Sequence, residues 1–472
     1  MTGDSPEQRN PARLISLWPD TNCGLPPSRR TTAVAAVLGA MSLAVLDAGM
    51  ANVALPTMAR SLQATPATTV LVITAYQTAL VMALLPCAAL GEWLGYRRVF
   101  AWGVAIFTMA SALCALSPSL SWLVAARFIQ GLGGAAVMAL GVALLRFSVP
   151  PGQLGAAIVW NALTVALSSA ASPAIGALII ARFGWPWLYL VNLPLCAGVL
   201  FATRALPSVV GTAKRIDALS VTLNGTAFAS LVIGAELLPR APIAAALLLS
   251  TAGLALAALV RREMPKSAPM IPLDLLRSKE FRTSVIASTF CFAGQTAGLV
   301  ALPFYLQREL GQSPLVTGLY MTPWPLSVAA TAMVAGRLAD RMSTAWLCAA
   351  GGGCLGVGLA AISLWPLHGD PRLLIAFATI CGLGFGLFQT PNNRNMFLSA
   401  PPERSGAAGG MQGTARLAGQ TAGAVLMTLL FATTSVTAAL RIGLGIGSVL
   451  ALVASMVSVM SILPRWASAR AA

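Results

Sequence analysis

The chain of 472 residues is poor in the side chains that most enzymes work with. It has one histidine, His368, in a loop beside Gly369 and Asp370, and only 14 acidic residues. Its eight cysteines fall almost entirely inside apolar runs, and none shows metal-ligand spacing. Free, buried thiols are therefore expected, in place of a disulfide framework or a metal centre. No Ser-His-Asp arrangement has support, no cofactor is implied, and an enzyme is not expected. Charged residues make up 9 % of the chain, far below the roughly 25 % of soluble domains. No gap between apolar runs is long enough for a soluble domain. The formal charge of +16 does not imply nucleic acid, because the basic residues come a few at a time in short gaps. Residues 1–30 are polar and basic and lack the short apolar core and cleavage site of a signal peptide, so they read as a cytoplasmic tail.

What the chain does have is apolar length. Hydrophobic residues form 57 % of it and the mean hydropathy is +0.79, as in a polytopic membrane protein. Apolar runs lie at about 32–58, 68–90, 99–118, 121–146, 155–180, 186–206, 217–238, 241–262, 284–306, 314–335, 345–366, 371–391, 407–431 and 437–462. At 1.5 Å per residue such runs suit the roughly 30 Å of hydrocarbon in a bilayer. They predict an all-α protein with fourteen transmembrane helices.

Charge asymmetry tests that count. With the N-terminus on the cytoplasmic side, 22 of the 30 Lys and Arg residues fall on that side. The other side receives Arg60, Arg182, Arg240, Arg308, Arg372 and Arg441, while Arg127 and Arg416 lie within spans. A span missed in the middle would put every later loop on the wrong side and destroy the asymmetry. Fourteen spans with both termini cytoplasmic, in the cell (inner) membrane, is the expected topology.

The chain also repeats itself weakly. Ala88–Arg98 (AALGEWLGYRR) and Gly336–Met342 (GRLADRM) each follow an even-numbered span. About 40 residues beyond each comes a glycine-rich run, Gln130–Arg146 and Cys381–Arg394. Repeated halves are the usual construction of secondary transporters. The expected organisation is a tail over 1–30, a six-helix bundle over 31–206, two additional helices with a basic linker over 207–283, a second six-helix bundle over 284–463 and a tail over 464–472.

One acid lies deep in an apolar run: Asp47, in the first span, with Glu236 near the end of another. Intramembrane carboxylates are costly, and their default reading is an ion or proton site. Arg127 lies at a similar depth in the fourth span, so the two are expected to couple directly or through water and Gln130. The alternatives are a static pair that holds helices together and a pair that opens as Asp47 gains and loses a proton. Asn52, Tyr76, Gln77, Gln130, Gln295, Gln389, Asn392 and Gln420 are polar residues in spans, each readable as a helix–helix hydrogen bond or as cavity lining. Pro173 is expected to bend the fifth helix, with Ser172 satisfying a freed carbonyl.

Several segments together resemble the major facilitator superfamily, specifically its fourteen-helix drug:proton antiporter branch. They are Leu46–Pro56 (LDAGMANVALP), Ala125–Ala135 (AARFIQGLGGA), Phe183–Pro194 (FGWPWLYLVNLP), Leu302–Pro323 and Gln389–Met396 (QTPNNRNM). The resemblance implies two six-helix bundles with two further helices between them in sequence. There are departures. In the family's loop after helix 2, which resembles G-x-L-a-D-R-x-G-R-K, this chain has Ala88, Glu92, Trp93 and Tyr96 in place of the first glycine, the aspartate and two arginines. Leu90, Gly95 and Arg97 remain. The fifth-span antiporter motif is reduced to Ser172-Pro173 followed by Gly176.

Glu92, Gly95, Arg97 and Arg98 in the first copy, with Asp340 and Arg341 in the second, are expected to form charged latches between the halves. The leading functional expectation is proton-driven export of lipophilic, cationic compounds by a monomer in the lipid bilayer, with Asp47 and Arg127 as the coupling pair. Export of one specific metabolite or endogenous antibiotic is the second. A membrane-embedded receptor or enzyme is the remote third.

Overall fold

Proline and small polar residues set where the helices begin. Five helices open at a proline, at Pro27, Pro66, Pro151, Pro242 and Pro314. There the missing N–H is no loss and φ is already helical. Thr65, Ser119, Asp217, Ser278 and Ser313 cap helices, two of them proline-opened, by accepting a backbone N–H three residues on. Gly95, at φ +96°, turns the chain directly from one helix into the next, a conformation that L side chains rarely adopt.

The computed structural model describes residues 25–208, 217–265, 273–366, 372–401 and 404–460. His368, most of the two expected tails and part of the basic linker lie outside the described residues. The helices are α1 Pro27–Ser61, α2 Pro66–Leu94, α3 Tyr96–Ala115, α4 Leu120–Ser148, α5 Pro151–Phe183 and α6 Trp187–Ala205. Then come α7 Ala218–Leu237, α8 Pro242–Glu263, α9 Lys279–Glu309, α10 Pro314–Leu338, α11 Thr344–Leu364, α12 Arg372–Leu398, α13 Ser405–Thr433 and α14 Val436–Met460. Thirteen of them are each long and apolar enough to cross a membrane. The fourteenth, α10, falls into pieces of 8 and 16 residues at Thr322, where Pro323 opens the second piece. Helix α1 begins at Pro27, inside the expected tail, and α9 begins at Lys279, inside the expected linker.

The weak sequence repeat is a repeat in packing. Between α3 and α4, Gly103 and Gly133 cross so closely that a Cβ on Gly133 would lie 2.7 Å from the Gly103 carbonyl oxygen. Gly351 and Gly384 make the same crossing between α11 and α12, at 2.6 Å. Such approaches take the place of the hydrophobic drive that lipid removes. Helices α1–α6 and α9–α14 thus form two related bundles. Helices α7 and α8 clasp each other through Arg262–Asp217 (2.9 Å) and Ser220 Oγ to Glu263 (2.6 Å). Asn224 Nδ2 ties this hairpin to the Met82 carbonyl of α2 at 2.9 Å.

The bundles also meet at the face opposite the start of α1. A π-turn at the end of α9, Tyr305–Glu309, carries Gln307 against α1. Its Oε1 accepts from Thr57 and Arg60, each at 3.3 Å, and its Nε2 donates to the Val53 carbonyl at 3.1 Å. Nearby, Gly318 of α10 presses on Pro173 and Ala177 of α5, where any side chain would collide. Toward the other face α5 is exposed nearly all round, with Val159 at 65 % and Trp160 at 60 %.

Candidate functional site

The polar centre lies inside the first bundle. Helix α4 can approach α2 because residue 131 is glycine: a Cβ there would collide with the Tyr76 carbonyl. That contact sets the Tyr76 ring beneath the guanidinium of Arg127, whose Cζ is 4.3 Å from the ring centroid. The Tyr189 ring of α6 lies 5.6 Å away on another side. Both are close enough for cation–π attraction in a dry site.

Arg127 and Asp47 form a direct ion pair, Nη1 to Oδ2, with both side chains 1 % exposed. Further hydrogen bonds hold the pair in place. Arg127 Nη1 donates to Gln130 Oε1 at 2.6 Å and Arg127 Nε to the Val72 carbonyl at 3.3 Å. Asp47 Oδ1 accepts from Gln130 Nε2 at 3.1 Å and from Asn192 Nδ2 at 2.8 Å. Gln130 Nε2 also reaches Ser111 Oγ at 2.9 Å. Both carboxylate oxygens are thus occupied, as a buried charge requires.

The second bundle leaves the equivalent seats apolar. Gly382 presses on the Trp324 carbonyl as Gly131 presses on that of Tyr76. The positions one and four residues before Gly382 hold Cys381 and Ala378, both 0 % exposed, where the first bundle has Gln130 and Arg127. The buried ion pair is therefore a one-sided addition to a two-sided fold.

The other expected site residues scatter. Asn52 Nδ2 donates to its own helix at the Ala48 carbonyl (3.2 Å), and its Oδ1 is buried with no partner. Gln77 Oε1 is likewise buried without a partner. Asn392 clamps α12 to α9 through the Ser284 carbonyl at 3.2 Å, which makes it a packing contact. Gln295 is buried in α9, while Gln389 and Gln420 are half-buried. Pro173 lies inside an uninterrupted α5, and Ser172 Oγ donates at 2.9 Å to the Ser169 carbonyl, the one that the proline leaves without its helical donor.

Of the latch residues, Glu92, Gly95, Arg97 and Arg98 lie at the α2–α3 turn, and Asp340 and Arg341 just beyond α10. Asp340 pairs with Arg394 of α12 at 2.8 Å, inside the second bundle. Asn192, Tyr189 and Ser111 belong to the polar centre but are not among the residues singled out from sequence. An asparagine inside the apolar run 186–206 was the available signal for the first.

The sequence profile described as Major Facilitator Superfamily matches residues 37–424. The chain is similar to the uncharacterized transporter YebQ of Escherichia coli, 42 % identical over 86 % of this chain and 90 % of that protein. It is 29 % identical to a riboflavin transporter of Clostridioides difficile, over 79 % of this chain and 82 % of that one. It is 31 % identical to the multidrug resistance protein Stp of Mycobacterium tuberculosis, over 86 % and 76 % of the two chains. A crystal structure of a POT family transporter with a thioalcohol-conjugated peptide shares the fold, at TM-score 0.70 and 14 % identity over 92 % of this chain and 96 % of that one.

Proposed function

Because the chain belongs to the major facilitator superfamily, a transporter family with drug efflux proteins among its relatives here, we propose that it is a proton-driven exporter of lipophilic compounds. It works as a monomer in the cell (inner) membrane with both termini in the cytoplasm, and the two bundles rock about a path between them. The observation that carries this reading is the occluded Asp47–Arg127 pair, the one ion pair among the described residues with both partners buried inside membrane spans.

A charge pair in hydrocarbon is held together by attraction that vanishes once one member is neutralised. When a proton reaches Asp47, Arg127 loses its counter-charge yet keeps the Gln130 and Val72 oxygens and the faces of Tyr76 and Tyr189. Those alternative partners make its release from Asp47 affordable. The pair joins α1 to α4, and α1 carries the Gln307 contacts that seal the molecule at its far face. Protonation inside the first bundle is thereby linked to the seal between bundles, which gives the proton differential leverage on two states.

The expectation of a cationic substrate requires Asp47 to face it. With 2 % exposure and both oxygens occupied, Asp47 offers a cation no open side, so the substrate's charge has to be sought elsewhere in the path.

The test compares Asp47→Asn with the double variant Asp47→Asn/Arg127→Gln in inverted vesicles, measuring abundance and dye-reported proton exchange on the same sample. The single variant strands a buried guanidinium at a cost of about 3–5 kcal/mol, so its abundance falls. The double variant removes both charges and restores abundance. If the pair carries coupling, the restored protein moves substrate downhill only; normal uphill efflux per molecule would show the pair to be scaffolding.

A further inference from the structure

Apart from Arg127, one cation lies deep in a described span, and no described residue gives it a counter-charge. Arg416 sits well inside α13, 11 residues from Ser405 and 17 from Thr433, so roughly 16 Å and 26 Å along the helix from its two ends. Its Nε is buried with no acceptor, and among the described residues it joins no ion pair. An unpaired guanidinium at that depth is costly.

Its direction follows from its neighbours on α13. Gly410 and Gly413 pack on Leu85 and Leu84 of α2, where an added Cβ would lie 3.1 and 3.0 Å from them. Leu417 joins the first bundle's core beside Leu80 and Leu84. Gly419 and Gly423 press instead on the backbone of α9, at Thr289 and Ala293. At 100° per residue, Arg416 and Gln420 fall on the edge between these two faces. That edge borders the seam between the bundles. The register set by Leu84 and Gly413 brings Gln77, with its unpartnered oxygen, toward Gln420 one heptad along, and Tyr76 is the titratable side chain within electrostatic reach of Arg416. The seam thus holds a net positive charge and amide groups, while Asp47 is hidden behind Arg127.

We infer that Arg416 anchors an acidic group on the transported molecule, with the Gln77 and Gln420 amides beside it, so that the substrates are lipophilic acids. A carboxylate meets the guanidinium with charge-assisted, fork-shaped hydrogen bonds and supplies the counter-charge that no described residue provides. This rests on the export reading above and names its substrate class.

The probes are fluorescein and rhodamine 6G, which share a xanthene core and carry opposite charge. Binding is measured by anisotropy on the full chain in lipid nanodiscs, and transport in vesicles under an imposed pH gradient. Wild type is expected to bind fluorescein about tenfold or more tightly than rhodamine 6G, the scale of one charge-assisted contact. Arg416→Gln should abolish that preference by weakening fluorescein alone, and Arg416→Lys should keep part of it. A wild type that binds neither dye or prefers rhodamine 6G overturns the inference, as does an Arg416→Gln protein that holds fluorescein within twofold of wild type. Should Arg416→Gln fail to fold, Arg416→Lys decides: unchanged rhodamine 6G binding with weakened fluorescein supports the anchor, and equal weakening of both overturns it. The two readings separate in the vesicles. Fluorescein bound in an Arg416-dependent manner but never moved by the gradient would sink export and keep the anchor; rhodamine 6G exported with fluorescein ignored would do the reverse.

Discussion

At the scale of single residues, the polar centre was half legible. Asp47 and Arg127 stand out because a charge inside an apolar run is rare enough to notice one position at a time. Asn192 does not, since an isolated amide in a span is ordinary and its bond to Asp47 crosses 145 residues. Pairing across that distance depends on where α6 sits in the bundle, which no local pattern encodes. The partner of Asp340 was obscured for a related reason: its charge announces a contact at the membrane surface, but the choice of Arg394 over Arg97 is made by the packing of α10 against α12. Asn192 is itself testable. Asn192→Ala removes one donor from the ionised carboxylate and leaves the Arg127 and Gln130 contacts in place, so abundance should change little. Losing a donor to the charged form makes that form less favourable, so the pH of half-maximal efflux should move upward. A pH profile that stays put, measured across a series of external pH values, would confine Asn192 to packing.

At the scale of helices, the apolar runs located every span, because burial in lipid leaves no other reading of about 20 consecutive apolar residues. What the runs concealed was their interruptions. Hydropathy is blind to the break of α10 at Thr322 and to the π-turn that ends α9, because a helix can change its hydrogen bonding without changing composition. Both irregular segments lie beside the seal between bundles, where Gln307 and Gly318 make their contacts. Gly318 is the point to press. Gly318→Val inserts a side chain where even a Cβ collides with Pro173 and Ala177, forcing α5 and α10 apart. Overpacking costs about 1–3 kcal/mol, roughly 5- to 150-fold in the population of the sealed state. Efflux should fall accordingly while abundance holds, and a cysteine placed at Thr57 should become more reactive to an impermeant maleimide. Gln307→Ala should open the same face more mildly, because it deletes hydrogen bonds without adding bulk. Equal turnover in wild type and Gly318→Val would mean that this face does not have to close during transport.

At the scale of the whole molecule, the fold was readable because two independent signals agree: the count of apolar runs and the charge on alternate loops. The relation between the halves was fainter. Its sequence trace was two short charged loops and two glycine-rich runs, and only packing shows Gly103–Gly133 and Gly351–Gly384 making one crossing twice. The orientation in the membrane rests on the charge pattern alone, and labelling decides it. Seven described cysteines are available as background, and all but Cys354 are buried. Cys354 lies in the middle of α11, where a charged reagent in water does not reach, so an impermeant maleimide applied to intact cells should find little native reactivity there. Against that background, single cysteines beside Arg60, Arg182 and Arg372 should label from outside, and those beside Arg97, Arg204 and Arg337 only after permeabilisation. The odd-numbered helices all end on one face, so a single span that failed to cross would exchange the two groups for every later site. Labelling of the Arg60 and Arg182 sites with protection at Arg372 would therefore place one missed crossing between α5 and α12, with the broken helix α10 the first element to suspect. Outside labelling of the Arg97, Arg204 and Arg337 sites would reverse the whole molecule, although an inward proton gradient would still drive substrate outward by exchange, because the gradient and not the orientation sets the direction of antiport.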